Sequence, residues 1–205
     1  MKAATKARKR SVAPRLSRED WLDAAFQAVV EGGFDNARVL VIANALGVTR
    51  GSFYWHFTDH ADLIAALLAR WRKREIGIDH ALRSELTADP QADLERLLDA
   101  ALAYAGADLE FMRFELALRG RGRRDPEVAK LLLEVDQMRF DLFEQKFMRL
   151  TGDKKMAAEL AALFYLAIVG SHQALSRPSS PPQAKDYLKG IIAKFLIHGQ
   201  APAPA

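Results

Sequence analysis

Cysteine is absent from this chain of 205 residues, which excludes disulfides and thiolate catalysis, argues against a zinc-finger site and is compatible with a reducing cytoplasm. Long apolar runs are absent as well. No stretch reaches the roughly 18 consecutive apolar residues of a membrane span, and the longest candidate, Leu160 to Val169, is half that length and follows Glu159. The basic start leads into Trp21 to Val30, which holds Asp23 and Gln27, so no secretory signal peptide is expected. Missing too are a P-loop, a G-x-G-x-x-G turn and a G-x-S-x-G elbow, which removes the usual signs of nucleotide binding and of hydrolase chemistry. No alternating strand pattern or internal repeat occurs, so the expected fold class is all-α.

What is present begins with charge. The formal net charge of +4 conceals a split, because Lys2, Lys6, Arg8, Lys9, Arg10, Arg15 and Arg18 precede the first acid, Glu19, and the remaining chain carries 23 basic against 26 acidic groups. The basicity is an arm, taken as residues 1–16. Such an arm either lies along phosphates or in a minor groove, adding salt-dependent affinity, or is simply a solvated tail.

Behind the arm, Ser17 and Asp20 have the spacing of a capping box, and Leu22, Phe26, Val29 and Val30 form a buried stripe ended by Gly32 and Gly33. Arg38 to Phe57 then reads as two short helices joined by a tight turn. Val39, Ile42, Ala43 and Leu46 share one helical face, and Gly47 supplies the positive φ that stops a helix sharply. Thr49 is placed to cap a second helix from Arg50 to about Phe57. Phe53 and Phe57 hold this helix down, while Ser52, Trp55 and His56 fall on the opposite side, with Thr49 and Arg50 at the tip. These are the needs of a recognition helix in a major groove. Leu40 and Val41 are more apolar than the exposed side of the first of the two helices needs.

The run Ile42-Ala43, Gly47-Val48, Gly51, Tyr54, His56-Phe57 and Leu63 resembles the signature of the TetR family of bacterial transcriptional regulators. The likeness covers residues 17 to 65. It implies an N-terminal three-helix helix-turn-helix unit (17–62) and a larger helical effector-binding and dimerisation unit (63–198), while the low-complexity composition of 199–205 gives the expectation of a disordered tail. The resemblance also implies that Arg50 and Ser52 read base edges, that Thr49 reaches phosphate, that Tyr54 contacts phosphate with Trp55 and His56 beside it, and that Gly51 permits close approach. Two positions depart from the family pattern: Arg38 replaces a small hydroxyl residue, and His60 replaces a lysine as a candidate phosphate contact.

Farther on, Thr58 or Asp59 caps a helix with Ile64, Leu67, Leu68 and Trp71 as its stripe. Asp89-Pro90 and Asp125-Pro126 are helix starts, Asp108 to Arg119 is a helix, and Gly120 to Arg124 is expected to be a loop. Lys154 to Ser176 and Gln183 to His198 are the last helices, separated by a linker at Arg177 to Pro182. Ala167, Gly170, Ser171 and Ala174 make a small-residue face, which is either a dimer seam in a four-helix bundle or close packing within one subunit. Trp71, Tyr104, Phe111, Phe114, Tyr165 and His172 either line a pocket for a small apolar or aromatic effector or form solid core.

Catalysis is not expected. His56 and His60 have metal-pair spacing, but capping residues interrupt the helix between them, and Ser171-His172 are neighbours in sequence only. No metal or cofactor is implied. The sequence therefore points to a cytoplasmic homodimer on a double-stranded DNA operator. A repressor released by a small molecule is the first reading, and a dimeric DNA-binding protein acting through a protein partner, without an effector, is the second.

Overall fold

The computed structural model describes residues 16–107, 109–175 and 184–200, and these contain helices and turns with no strand. α1 spans Arg18–Gly32. Its start is a reciprocal cap: the Asp20 amide donates to Ser17 Oγ at 3.3 Å, and the Ser17 amide donates to the Asp20 carboxylate at 2.6 Å. Gly33, at φ +74°, ends the helix, and a single 3-10 turn at Phe34–Asn36, absent from the expectations, buries Phe34.

α2 spans Val39–Ala45 and α3 spans Arg50–Phe53. Between them Gly47 adopts φ +67°. Its amide donates to Asn44 O at 3.1 Å and that of Val48 to Ala43 O at 3.0 Å, so the last carbonyls of α2 are satisfied by the turn itself. α4 runs from His60 to Ser84, capped by Asp59, whose carboxylate accepts from the Asp62 amide at 2.9 Å. Thr58 donates to Asp62 in return, at 3.0 Å.

The other helices are α5 (Pro90–Ala107), α6 (Leu109–Gly122), α7 (Pro126–Thr151), α8 (Lys154–Leu175) and α9 (Ala184–Ile192), the last followed by a π-turn at Ala193–Ile197. The expected loop at Gly120 to Arg124 is a correction, because α6 continues through Gly122. Glycine inside a helix costs up to about 1 kcal/mol, yet here it permits contact: a Cβ on Gly122 would sit 2.8 Å from Leu132 Cδ1 on α7. Arg121 also reaches Asp125 at 3.1 Å, which carries the turn into α7.

The apolar interior falls into two clusters. The first joins Trp21, Phe26, Ile42, Phe53, Phe57, Leu63 and Trp71 to Phe114, Leu118 and Leu132, so the helix-turn-helix unit shares its core with α4, α6 and α7. This core runs across the expected boundary at residue 62. The second cluster joins Leu94, Leu97 and Leu98 to Phe147, Phe164, Ile168 and Ile197.

Between the clusters lies a charged layer. Arg139 on α7 donates to Glu75 on α4 at 2.8 Å and to both oxygens of Glu115 on α6 at 2.9 Å. Arg119 also bonds Glu115, at 2.7 Å, and forks onto Asp136 at 2.7 and 3.0 Å. Burial pushes the Glu115 carboxyl up, but Arg139 and Arg119 overcome this and hold it well below the usual range. Burial raises Glu75, and Arg139 only partly offsets it. A second ionic knot ties the α4–α5 connection to α7. Asp93, buried, accepts from the Thr87 amide and hydroxyl, each at 2.8 Å, from Arg96 at 2.6 Å and from Arg149. Against the cost of its burial, these donors hold its carboxyl far below the ordinary value.

Acid should therefore destabilise the fold. A carboxyl depressed in the folded state binds its proton more readily when unfolded, so the stability it contributes is present above the unfolded pKa of about 4 and is lost as pH falls through that range. Glu115 and Asp93 act in this direction and Glu75, raised, acts against them. Urea unfolding at pH 7, 5, 4 and 3 is expected to give falling stability below about pH 4; a flat or rising profile would contradict the assignment.

Candidate nucleic-acid interface

The interface is built on α3, which is a single helical turn. Its amides and those after it close back on Phe53: the His56 amide donates to Phe53 O at 2.9 Å and that of Phe57 at 3.1 Å. Phe53 and Phe57, both buried, stack at 5.4 Å between ring centroids, and Phe53 meets Trp21 of α1 edge-on at the same separation. These aromatic contacts hold a turn too short to be stable alone.

Thr49, Arg50, Gly51, Tyr54 and Trp55 are exposed, Trp55 by 79%. The Arg50 guanidinium lies 3.5 Å from the Tyr54 hydroxyl. Arg38, exposed, is the N-cap of α2 and makes no side-chain capping bond. Leu40 is 59% exposed on the same helix.

Four expectations are corrected by the geometry. Helix α3 ends at Phe53 and is followed by turns, so a helical wheel extended to Phe57 loses its warrant beyond Phe53, although Phe57 is buried and Trp55 exposed as expected. His56 is the consequence: it is half-buried, with its ring 6.4 Å from Trp21, turned back toward α1 instead of outward. Thr49 occupies the N-cap position without a side-chain capping bond; instead Ser52, half-buried, donates its hydroxyl to Thr49 O at 2.7 Å. That leaves the Thr49 hydroxyl outside the cap and takes the Ser52 proton. His60 is committed as well. Its Nε2 lies 2.8 Å from Ala37 O, and because a carbonyl only accepts, Nε2 carries the proton. His60 thus pins the start of α4 to the entrance of α2.

The expected pocket residues divide between two places. Trp71, Phe111 and Phe114 belong with the first cluster, where Phe26 stacks on Phe114 at 5.1 Å and meets Phe111 at 4.7 Å. Tyr165 and His172 instead line a cavity of about 90 Å³ between α4, α5, α7 and α8. The side chain of Tyr104 lies outside the described residues. The rest of the cavity wall includes Glu75, Ile78, Asp79, Leu82, Leu97 and Arg139, none of them expected from the sequence to line a pocket. One signal was available: Trp71, Glu75, Ile78 and Leu82 continue the α4 stripe at helical spacing, with an acid on an apolar face. Burial lowers the basicity of His172, which is hydrogen-bonded to the backbone of Ala101.

The small-residue face is also rearranged. Ser171 is buried and donates to Ile168 O at 2.7 Å, and Ala167 is half-buried against its own core. Gly170 is exposed, and the Ala174 side chain lies outside the described residues. The apolar surface of α8 is instead Leu163 and Leu166, 56% and 64% exposed, with Tyr187, Ile191 and Phe195 exposed on α9 and the turn after it.

Among the described residues no cluster of acidic and histidine side chains is arranged to hold a metal ion, and no helix is long and apolar enough to cross a membrane. Residues 22–67 match the family model for bacterial regulatory proteins of the tetR family. The chain is 34% identical to the HTH-type transcriptional regulator TtgR of Pseudomonas putida over 82 residues, which is 40% of this chain and 39% of that protein. It thus spans about two-fifths of the length of that relative. Its similarity to the HTH-type transcriptional repressor BepR of Brucella suis is 29% identity over 163 residues, 75% of this chain and 77% of BepR. The fold matches that of a transcriptional regulator from Saccharomonospora viridis in complex with choline, with a TM-score of 0.72 at 20% identity, covering 91% of this chain and 98% of the other.

Arg50 stands at the exposed tip of α3, and a guanidinium is the group that bonds a guanine edge bidentately. Arg50→Ala is expected to cost about 1–3 kcal/mol on a specific site and to relax preference at one base step, measured by fluorescence anisotropy on matched and mismatched duplexes. Equal losses on specific and random DNA would contradict a base-reading role.

Proposed function

Because the chain belongs to the TetR family of DNA-binding bacterial transcriptional regulators, we propose that it is a cytoplasmic homodimeric repressor, released from a palindromic operator by a small molecule bound in the cavity beside α4. It performs no catalysis in this reading. Arg50 reads a base edge, Ser52, whose proton is committed to Thr49 O, serves there only as an acceptor, Thr49, Tyr54 and Arg38 meet phosphates, and Trp55 packs along the groove wall. His60 contributes by fixing α4 to the helix-turn-helix unit.

The observation that carries the reading is the course of α4. At its start His60 bonds Ala37 O, just ahead of α2, and along its length Glu75, Ile78, Asp79 and Leu82 form a wall of the cavity. A ligand that prefers one position of this helix shifts the population of DNA-binding geometries, and only its differential affinity for the two conformers matters. The choline complex of the Saccharomonospora viridis regulator and the repressor name of BepR support the same reading.

We assign dimerisation to the apolar side chains exposed on α8, Leu163 and Leu166, and on α9 and the turn after it, Tyr187, Ile191 and Phe195, with exposed Gly170 allowing close approach. Apolar side chains clustered this way on a surface mark an interaction site. One recognition turn contacts too few bases, whereas two held about 34 Å apart read both halves of a near-palindrome.

Selection of bound duplexes from a random pool is expected to return a near-palindromic site, and failure to enrich any sequence would contradict the operator reading. Leu166→Glu is expected to give monomers by analytical ultracentrifugation and at least about a tenfold loss of operator affinity. A variant that remains dimeric would overturn the placement of the seam.

A further inference from the structure

The cavity is lined chiefly by apolar side chains, among them Ile78, Leu82, Leu97, Leu142, Phe143 and Ile168, and the few polar groups in its wall are unequally engaged. Arg139 has both terminal nitrogens on carboxylates, Glu75 at 2.8 Å and Glu115 at 2.9 Å. Glu75 is held from its other side by Arg74 at 3.2 Å. His172 is bonded to the Ala101 backbone, and burial disfavours its charged form.

Asp79 is different. Its Oδ2 accepts from Arg83 Nε at 2.7 Å, while its Oδ1 is buried and accepts a hydrogen bond from no described residue. The two terminal nitrogens of Arg83 are turned to other acceptors, Gln145 Oε1 at 2.9 Å and Met138 O at 3.0 Å, and neither bonds Oδ1. A carboxylate oxygen withdrawn from water into an apolar wall is a strong acceptor without a donor. Its side chain belongs to the cavity lining, one helical turn beyond Glu75 on α4.

We propose that the cavity takes a small organic amine in its protonated form, with a ring-sized apolar body against Leu97, Phe143 and Ile168 and its N–H donating to Asp79 Oδ1. The assignment rests on the reading of this cavity as the effector site. Its volume of about 90 Å³ has room for one ring and a short chain, given the roughly 10–15 Å³ of the same measure that one water needs. A charged donor gains more from a buried carboxylate than a neutral hydroxyl does. An anion gains nothing comparable, because the arginine in the wall, Arg139, is already shared between two acids, and the free oxygen repels it.

The test is isothermal titration of the full chain with three probes of similar size: 2-phenylethylamine, 2-phenylethanol and 3-phenylpropanoate. Wild-type protein is expected to bind the amine at least about tenfold more tightly than the alcohol, with the carboxylate weakest. Asp79→Asn is expected to abolish the amine's advantage while leaving the alcohol's affinity within about threefold, which also reports an intact cavity. If that variant does not fold, Asp79→Glu, which keeps the charge and displaces it, is expected to weaken the amine alone. Equal binding of amine and alcohol, tighter binding of the carboxylate, or no effect of the Asp79 substitutions on the amine would overturn the amine assignment while leaving the cavity as a ligand site. Binding of none of the three probes would overturn the effector-site reading together with it.

Discussion

The Arg139 guanidinium is the constraint on which the arrangement of the two halves depends. It sits between Glu75 of α4 and Glu115 of α6, and all three side chains are largely buried. Taking such charges out of water is costly, and only near-complete pairing offsets the cost. That requirement fixes three helices relative to one another at the level where one apolar cluster gives way to the other. Apolar contacts alone tolerate sliding, whereas a guanidinium fork shared by two carboxylates does not. Without Arg139, Glu75 and Glu115 would each keep one arginine, Arg74 and Arg119 respectively, but would lose the guanidinium they share, which favours separation of the helices or protonation of one carboxyl.

Glu75 and Arg139 of this layer also line the cavity, and in the proposed reading this would link ligand binding to DNA binding without any need for a large motion. Glu75 belongs both to the clamp and to the cavity wall. α4 extends from it toward the recognition turn, where His60 is bonded to the backbone just ahead of α2. In that reading a displacement of α4 by a ligand would be transmitted to a unit whose own core, Trp21 with Phe53 and Phe57, resists deformation. The proposed DNA-reading side chains would move as a body.

Much of this was legible in the sequence wherever the signal is local. The Ser17–Asp20 cap, the Asp59 and Asp125 helix starts and the positive φ of Gly47 follow from residue type and spacing over a few positions. Errors arose where a periodic pattern was extended past the helix that produced it. His56 was placed by a wheel that stops being valid at Phe53, and Ser171 was placed on a small-residue face without knowing which side of α8 is covered. Gly120 and Gly122 spoke for a loop, but a close approach to Leu132 on another helix decided otherwise. The cavity was the least legible feature, since aromatic side chains drew attention while the residues that define its chemistry, Asp79 and Arg139, read as ordinary charged helix positions.

The central claim is that ligand and operator compete through α4, and reciprocity of coupling tests it most directly. A compound that stabilises the chain in a thermal-shift screen is titrated against the protein by calorimetry, first alone and then with saturating operator duplex. The account predicts weaker binding in the presence of operator, by the same factor by which the compound weakens operator binding. Equal affinity with and without operator would contradict it.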